Sequence, residues 1–327
     1  MIKNRHEIAV FVSIKNGNPN GNPEADGRPR QCPVTGNGLI SDVCTKRKQR
    51  NYIQNRYAGD KGRQIFVREG VVLDDIISSP YDLDKDTKKA FEARKAEGKG
   101  KYKGPSPETL AKDYLCKNYA DIRYFGGVLS TGDKESVSAD SEADAGSKRS
   151  SNAGFRKTAG KVTGPISISW AESVHPIFSG HETLTRCCAT NPKDEHKGQT
   201  MGSKSRIPYA LYKFEVRISP TKSEKTNFSE EDLKLFCEAL THMYDDDFSS
   251  ARPASMVVEK AWMFTHESKF GNAPAHKLLA RAKAMLKDGV TVPGKTEDYD
   301  ISLDTSNMPK GVSVKELTWE NTNPEEK

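Results

Sequence analysis

Four stretches of this chain alternate apolar and polar residues in the way that β-strands do. They are residues 7–15, 162–170, 212–218 and 257–266. In the first, Ile8, Val10 and Val12 alternate with Ala9 and more polar positions, which predicts a strand with one apolar face. Each of the other three is expected to show the same period of two, so the sequence predicts four core strands.

Two segments have the helical period instead. Residues 39–56 carry apolar residues at spacings of three and four, and these are expected to form the buried face of the first helix: Leu39, Ile40, Val43 and Cys44. A second helix is expected to begin at Ser229, with Asp232 three residues later as a capping-box variant. Its apolar positions are Leu233, Phe236, Cys237 and Leu240.

The order of these elements is β-α-β-β-α-β, the split βαβ or ferredoxin-like unit that RRM domains share. The predicted fold class is therefore α+β, interrupted by two long insertions. Residues 57–161 separate the first helix from the second core strand, and within them residues 121–129 are expected to form a strand. Residues 172–207 occupy a position where a tight hairpin is usual. The tail after Asp288 is expected to add a short pair of strands.

Bulk composition limits the function classes. The chain has 327 residues and a net charge of +6, with a pI near 8.8 and a mean hydropathy of −0.74. It is not basic throughout, so a polyanion would have to meet a local concentration of cations. No signal-like apolar segment and no run of about 18 apolar residues occurs. We expect a cytoplasmic protein that does not enter the membrane.

Cations are concentrated at residues 41–56, where five lysines and arginines stand against the single Asp42. The run contains Lys46, Arg47, Lys48 and Arg50, which at about 100° per residue spread around the helix. Since one face must pack on the sheet, these cations cannot all face solvent, and at least one should lie along a groove where an anion would offset its desolvation. Phosphate binding and an ordinary solvated helix surface are equally favoured by the spacing alone.

The loop at residues 16–23 reads Asn-Gly-Asn-Pro-Asn-Gly-Asn-Pro. Gly17 and Gly21 permit a positive φ and a close backbone approach, and Asn side chains both donate and accept hydrogen bonds. The loop lacks the spacing of a nucleotide-binding motif, so no nucleotide cofactor is predicted. Taken alone, a plain surface turn is favoured over a binding loop.

Two further segments have possible roles at a nucleic acid. Ser167 and Ser169 lie opposite the apolar face of their strand, where small polar residues would suit backbone contact better than base stacking; an ordinary solvent face explains them equally well. In the second insertion, Lys204 and Arg206 follow Met201, and Lys193 and Lys197 precede it. Met201 at the tip of a basic loop would suit a wedge between bases, and a disordered basic loop is equally compatible.

Catalytic and metal-binding signals are weak. The seven histidines are scattered, and the six cysteines have no zinc-ligand spacing. We expect the cysteines to be reduced thiols, and we expect Cys44 and Cys237 to lie in the core. The acidic run at residues 245–247 is predicted to be a solvated turn rather than a metal site. The sequence therefore predicts no catalytic residue, no metal and no cofactor.

The chain resembles a known family, the Cas seven family, and within it the type I-C branch. The motifs that carry the resemblance are Asn16-Gly17-Asn18-Pro19-Asn20-Gly21, Gly38-Leu39-Ile40-Ser41-Asp42-Val43, Lys46-Arg47-Lys48-Gln49-Arg50-Asn51-Tyr52, Asp121-Ile122-Arg123-Tyr124-Phe125-Gly126-Gly127, Gly164-Pro165-Ile166, Val174-His175-Pro176-Ile177, Thr200-Met201-Gly202 and Pro208-Tyr209. Members of this family form the repeated backbone subunit of Cascade, the RNA-guided CRISPR surveillance complex. The motifs occur in the family's order over most of the chain.

The resemblance implies a hand-shaped molecule with a modified RRM-like palm and large fingers and thumb insertions. The implied divisions are a palm of residues 1–57 with 116–171 and 208–288, fingers at 58–115, a thumb at 172–207, and a C-terminal extension at 289–327. It also implies a function without catalysis. Copies of the subunit polymerise along one CRISPR RNA (crRNA), and the thumb kinks the guide at intervals, so that the segments between kinks pair with target DNA.

The resemblance also implies partners and site residues. The partners are crRNA, target DNA through guide pairing, further copies of the chain, and the other Cascade subunits, namely a RAMP end-cap subunit, a large subunit and a small subunit. The RNA-binding residues are expected to be Asn18, Asn20, Lys46, Arg47, Arg50, Ser167, Ser169, Met201, Lys204 and Arg206. Contacts to the RNA backbone suit a subunit that must accept any guide sequence.

A second class of function stays open. Related RRM-like CRISPR proteins are endoribonucleases that process guide precursors, and some backbone subunits cut target RNA with an acidic residue and a metal. Such a protein needs a group poised at the RNA, and His175 and Asp26 are the candidates.

Overall fold

A computed structural model of the chain describes residues 1–98, 100–130, 156–185, 201–252 and 256–323. The chain divides into two compact units. The first contains Met1 and residues 56–165 and 221–229, and the second contains residues 2–55, 166–220 and 230–327. In the described part of the chain, no helix is both long enough and apolar enough to cross a membrane.

The strands of the described residues, in chain order, are β1 (His6–Gly17), β2 (Gly21–Asn22), β3 (Arg28–Pro29), β4 (Asn37–Ile40), β5 (Gly126–Leu129), β6 (Gly160–Thr163), β7 (Ile166–Ile168), β8 (Ala171–Pro176), β9 (Gly180–Thr185), β10 (Met201–Ile218), β11 (Val257–His266), β12 (Ala282–Leu286), β13 (Tyr299–Leu303) and β14 (Val312–Glu316). The α-helices are α1 (Asp42–Arg56), α2 (Leu73–Ser78), α3 (Pro80–Leu83), α4 (Lys85–Glu97), α5 (Pro107–Asn118), α6 (Ala120–Phe125), α7 (Pro220–Ser223), α8 (Glu230–His242), α9 (Ala275–Leu279) and α10 (Trp319–Thr322).

The second unit is built on one antiparallel sheet, in the order β14-β11-β1-β10-β8-β4, with β7 and β9 also paired to β10. Val10 lies opposite Phe214 on one side of β1, and Ala9 lies opposite Trp262 on the other. The predicted strands at 7–15, 212–218 and 257–266 are therefore confirmed. The molecule is a mixed α/β protein with an antiparallel sheet, as the sequence indicated.

Strand β1 is buried on both faces, whereas the sequence predicted a single apolar face. Glu7, Ala9, Phe11 and Ser13 form the second face, and all four are buried. This face is covered because α9, β12 and β13 pack against it in one hydrophobic cluster. The cluster contains Ala9, Phe11, Tyr209, Leu211, Trp262, Ala275, Leu279, Ala282 and Tyr299. The tail after Asp288 therefore does form strands: β13 pairs with β12, and β14 extends the main sheet.

The predicted apolar face of the first helix is wrong. Leu39 and Ile40 belong to β4, which pairs with β8, and Val43 is 65% exposed. The residues of α1 that are buried are instead Thr45, Lys48, Gln49 and Ile53. The helix packs largely through polar side chains because its inner face meets charged and polar groups from another part of the second unit.

The predicted strand at 162–170 is divided between the two units. Val162 and Thr163 belong to β6, which pairs with β5 in the first unit, and β7 pairs with residues 216–218 of β10 in the second. Trp170 lies beyond β7 and is 50% exposed, so it does not share the buried face of Ile168. By contrast, the helix predicted from Ser229 is confirmed as α8, with its apolar residues buried.

The first unit has its own core, formed by helices α2 to α5 with α6, β5 and β6. Its members include Phe66, Ile77, Tyr81, Leu115 and Ile122. The strand predicted over 121–129 is wrong for its first half, where α6 is helical. Polar and apolar residues alternate there without marking a strand, because the two charged residues are buried as well. The Asp121 carboxylate accepts the Phe66 N–H at 2.8 Å, and the Arg123 guanidinium donates to the Cys116 carbonyl at 2.7 Å.

Candidate nucleic-acid interface

Helix α1 is held in the second unit by a buried ion pair. The Lys48 ammonium group lies 2.7 Å from the Asp247 carboxylate, and their side chains are 7% and 13% exposed. Asp247 also accepts from Arg252 Nε at 2.9 Å. The prediction that the cations of this helix cannot all face open solvent is confirmed, because Lys48 is buried. The anion that pairs with it is a carboxylate of this chain, so Lys48 anchors the helix.

The three remaining cations of the basic run have intermediate exposure. Lys46 lies 2.8 Å from Asp42, one turn earlier on the same helix. Arg47 and Arg50 are half-buried beside it. These are the residues that the family resemblance assigns to the guide phosphates, and the anchored helix fixes their backbone positions. Cations at fixed backbone positions suit binding to a phosphate backbone.

Cys44, on the same helix, is influenced by the charges around Lys48 and Asp247. Burial raises the pKa of the Cys44 thiol, while the positive charges of Lys48, Arg252 and Arg30 act in the opposite direction. These three cations and the Asp247 carboxylate are thus near enough to act on the Cys44 thiol. Lys48, Arg252 and Arg30 were not assigned to the site from the sequence. The burial of Lys48 follows from its helical phase, but no local pattern connects α1 with Arg252.

The acidic run differs from its prediction in one residue. Asp245 and Asp246 are exposed, as a solvated turn requires. Asp247 is not solvated, because Lys48 and Arg252 cover its carboxylate. In the described part of the chain, no group of three or more histidines, cysteines and carboxylates has the geometry to hold a metal ion.

Two side chains of the Asn-rich loop form hydrogen bonds with backbone groups outside the loop. Asn18 Nδ2 donates to the Gly27 carbonyl at 2.7 Å, and Asn20 Oδ1 accepts the Ser41 N–H at 2.9 Å, next to the start of α1. The positive φ occurs at Asn16, at 52°, rather than at Gly17 or Gly21. Glycine is needed at position 21 because the backbone there lies close to the backbone at Gly27, and a Cβ would lie 2.9 Å from the Gly27 oxygen.

This loop is joined to the same region as α1. The Asn18 N–H donates to the Ala251 carbonyl at 2.6 Å. Ala251 precedes Arg252, so the segment at 245–252 contacts both the loop and the helix. The two sequence motifs of the proposed RNA contact, the loop and α1, therefore lie together on one part of the second unit.

Ser167 and Ser169 are exposed, on the face of the sheet that carries Glu215 and Arg217. The Ser169 hydroxyl is already engaged, because it accepts the Glu215 N–H at 2.9 Å and donates to the Trp170 carbonyl at 2.9 Å. An open groove of about 570 Å³ runs past Ser169 towards β12. Since α9, β12 and β13 cover part of this face, it is not the open sheet surface on which RRM domains stack bases.

Met201, Lys204 and Arg206 lie in the first six residues of β10, which pair with β9 to form a two-stranded arm. Met201 is 74% exposed. Arg206 Nη2 lies 2.8 Å from Glu182 across the arm, so its charge is neutralised within the chain. Lys193 and Lys197 lie outside the described residues.

The two candidates for RNA cleavage have different environments. Asp26 is exposed and has a left-handed backbone, with φ of 51°. His175 is half-buried, and its ring centroid lies 5.6 Å from that of Tyr299.

Comparison with known proteins gives one family match. The model of the family described as CRISPR-associated protein Cas7 matches residues 4–304. A protein named CRISPR-associated protein Cas7 from Haloferax volcanii is 27% identical over 241 residues, which cover 71% of this chain and 61% of that protein. The match thus spans less than two thirds of the relative's length.

Three solved structures show a remote likeness. A CRISPR RNA-guided surveillance complex in a pre-nicking state contains a chain with a TM-score of 0.45 and 14% identity, covering 80% of this chain and 78% of that one. A second surveillance complex gives 0.41 and 11%, covering 88% and 78%. The type III-B Cmr-beta complex bound to cognate target RNA gives 0.38 and 9%, covering 79% and 60%. All three TM-scores are below 0.5.

Proposed function

This chain belongs to the CRISPR-associated protein Cas7 family, and on that premise we propose that it is a non-catalytic, crRNA-binding backbone subunit of a type I-C Cascade complex. Copies of the chain polymerise along one guide RNA and bind its phosphates. The guide is kinked at intervals, and the segments between the kinks pair with target DNA. The other Cascade subunits complete the assembly, which acts in the cytoplasm.

The observation that carries this proposal is the anchored basic helix. Lys48 is held by Asp247, and the same helix carries Lys46, Arg47 and Arg50 at intermediate exposure. Cations fixed on a rigid element contact phosphates without reading bases, which suits a protein that must accept every guide sequence. The Asn-rich loop supports the role because Asn18 connects it to the segment that holds the helix.

The strand order supports an RRM-like, ferredoxin-like palm. Strands β11, β1, β10 and β8 are neighbours in an antiparallel sheet, and α1 and α8 are the connecting helices of the unit. The two helices are joined directly, since the Tyr52 hydroxyl donates to Glu238 at 2.8 Å. We assign the arm of β9 and β10, with the exposed Met201, to the thumb. We assign α2, α3, α4 and most of α5, within residues 58–115, to the fingers.

The test is to purify the full chain from cells that transcribe a CRISPR repeat-spacer array and to sequence the RNA that remains bound. We expect small RNAs that carry repeat sequence. Bound RNA with the composition of total cellular RNA would contradict the proposal, and so would protein free of RNA.

A second arm of the experiment addresses the alternative function, in which this chain cuts RNA. The exposed, left-handed Asp26 is the observation that favours it. Purified protein is incubated with precursor and target RNA, with and without Mg²⁺, beside an Asp26→Ala variant. We expect both RNAs to stay intact. Specific cuts that disappear in the variant would replace the scaffold function with a nuclease.

A further inference from the structure

The first unit contains a cleft of about 460 Å³ that takes no part in the site described above. Its walls come from α5, from β6 and from the turn that follows α7. The lining residues are Thr109, Lys112, Asp113, Lys161, Val162, Thr163, Glu224, Lys225 and Asn227. Three lysines thus reach one cleft from three separate segments of the chain, and we call it the lysine cleft.

Among the residues that the structure describes, the lysines of this cleft have no ion-pair or hydrogen-bond partner. Among the described residues, no carboxylate lies within ion-pair distance of Lys112, Lys161 or Lys225, and their side chains make no hydrogen bond. Other cations of the same unit are neutralised: Arg94 lies 2.6 Å from Glu108, and Lys157 lies 2.9 Å from Asp82. The unit therefore pairs cations elsewhere and leaves these three available to an external anion.

Two carboxylates also line the cleft, Asp113 and Glu224, so its net charge is +1. Asp113 follows Lys112 directly on α5 and is exposed, yet it pairs with none of the lysines. The hydroxyl groups of Thr109 and Thr163 add neutral donors. Flexible ammonium groups beside hydroxyl groups match the separated charges of a phosphodiester chain better than one compact anion.

The turn after α7 contains an unsatisfied polar group. Thr226 stands between Lys225 and Asn227, is 1% exposed, and its Oγ1 has no hydrogen-bond partner in the part of the chain that is described. Such a hydroxyl is rare in folded proteins, but Thr226 does not line the cleft, so the attraction of the cleft for an anion comes from its three lysines. Asn227 has a left-handed backbone, with φ of 59°, which turns the chain sharply at this wall.

We propose that the lysine cleft is a second nucleic-acid contact, in which Lys112, Lys161 and Lys225 bind the phosphodiester backbone of a strand. It involves no residue of α1 or of the Asn-rich loop, so it goes beyond the guide-binding site proposed above. A phosphodiester backbone can come from RNA or from DNA, and the two sources share this chemistry. The contact reads no sequence, because ammonium groups bind phosphates and not base edges.

The test compares two triple variants of the full chain. The cleft variant is Lys112→Gln, Lys161→Gln and Lys225→Gln. The control variant is Lys61→Gln, Lys101→Gln and Lys117→Gln, which removes the same charge from exposed lysines of the same unit. Binding to single-stranded RNA and to duplex DNA of equal length is measured between about 50 and 200 mM salt. Urea unfolding of both variants confirms that they remain folded.

We expect the cleft variant to bind at least one of the two nucleic acids roughly tenfold more weakly than the control variant does, with a salt slope smaller by about 2 to 3. The nucleic acid that shows the loss identifies the strand. Equal affinity and equal slopes for the two variants on both nucleic acids would overturn the proposal. The same comparison in a Lys46→Ala and Arg50→Ala background separates the outcome from that of the guide site, because a true second contact adds its loss to that background.

Discussion

The Lys48 ammonium group and the Asp247 carboxylate lie 2.7 Å apart, although 199 positions separate them in the chain. Both side chains are nearly buried, and Arg252 also binds the carboxylate. The pair therefore fixes α1 against the segment that follows α8. It gives the basic helix a defined position within the second unit.

Replacing Asp247 by Asn should destabilise the second unit. The change leaves the buried Lys48 charge without its anion, and breaking a buried pair from one side costs about 3 kcal/mol in the free energy of unfolding. Urea unfolding measures the change. The matched control is Asp246→Asn, an exposed neighbour that accepts from Asn55 at 3.1 Å, and it should cost less than about 1 kcal/mol.

The double variant with Lys48→Met removes both charges of the pair and should recover much of the loss. If Asp247→Asn were as mild as Asp246→Asn, the ion pair would not be what anchors α1.

Gly38 and Tyr212 form a second tight relationship in the same unit. A Cβ on Gly38 would collide with the Tyr212 hydroxyl and would lie 3.0 Å from the Ile177 side chain. The Tyr212 ring is fully buried, and its hydroxyl has no hydrogen-bond partner among the described residues. Gly38→Ala should therefore cost about 2 kcal/mol through overpacking.

Tyr212→Phe removes the atom that the new methyl group would strike. We expect this variant alone to change the free energy of unfolding by less than about 1 kcal/mol, because no hydrogen bond is lost. In its background, Gly38→Ala should cost less than half of what it costs in the natural chain. If Gly38→Ala lowered the free energy of unfolding by the same amount in both backgrounds, the clash with Ile177, rather than with the tyrosine hydroxyl, would be its cause.

Strand positions could be predicted well from the sequence, because alternation is a local property. Strand β11 has the predicted bounds, Val257–His266. Strand β1 extends beyond the predicted residues 7–15 by one residue at its start and two at its end. The same reasoning failed for Asp121 and Arg123, whose buried charges imitate a strand while the backbone is helical. Local periodicity carries no information about which polar residues will find partners inside the protein.

The candidate site could be predicted only in part. The cations of α1 are visible in the sequence, but the role of Lys48 as an anchor depends on Asp247, which no spacing rule connects to it. Asn20 looked like a ligand for RNA, and the structure shows its side chain holding the Ser41 N–H. Long-range pairing determines which members of a basic run remain available to a ligand.

Stability should fall in mild acid because of His6. Burial lowers the pKa of His6 from 6.5 to about 4, and the charge of His266 acts in the same direction. Between these two values the unfolded chain takes up a proton that the folded chain does not, so the free energy of unfolding decreases as pH falls. The full loss amounts to about 3 kcal/mol.

The His6→Asn variant isolates this contribution. Asn can keep the 3.0 Å contact that His6 Nδ1 makes with Thr265, but it does not titrate. Urea unfolding at pH 7 and pH 4.5 should show a smaller loss of stability in the variant than in the natural chain. His276→Asn, at an exposed histidine, is the control and should keep the natural pH dependence. Identical pH dependence in the natural chain and His6→Asn would contradict the prediction.

Asp42→Asn should strengthen RNA binding, if α1 contacts the guide. Asp42 lies 2.8 Å from Lys46 and neutralises it in the free protein, so its removal makes the lysine more available to phosphate. A gain of up to about threefold in affinity is expected, with a loss of about 0.5 kcal/mol in stability because an acidic residue leaves the start of the helix. Filter binding at low salt measures the affinity. A helix that is only a solvated surface would show no gain.

Lys46→Ala combined with Arg50→Ala should weaken RNA binding by the same factor for every guide sequence. Phosphate contacts release counterions, and for single strands each contact contributes about 0.7 to the slope of log affinity against log salt, so the double variant should lose about 1.4. Lys277→Ala with Lys310→Ala, at two exposed lysines of the same unit, removes equal charge and should leave the slope nearly unchanged. Losses that differ between guide sequences would mean that the helix reads bases, and an unchanged slope would mean that α1 does not touch the RNA.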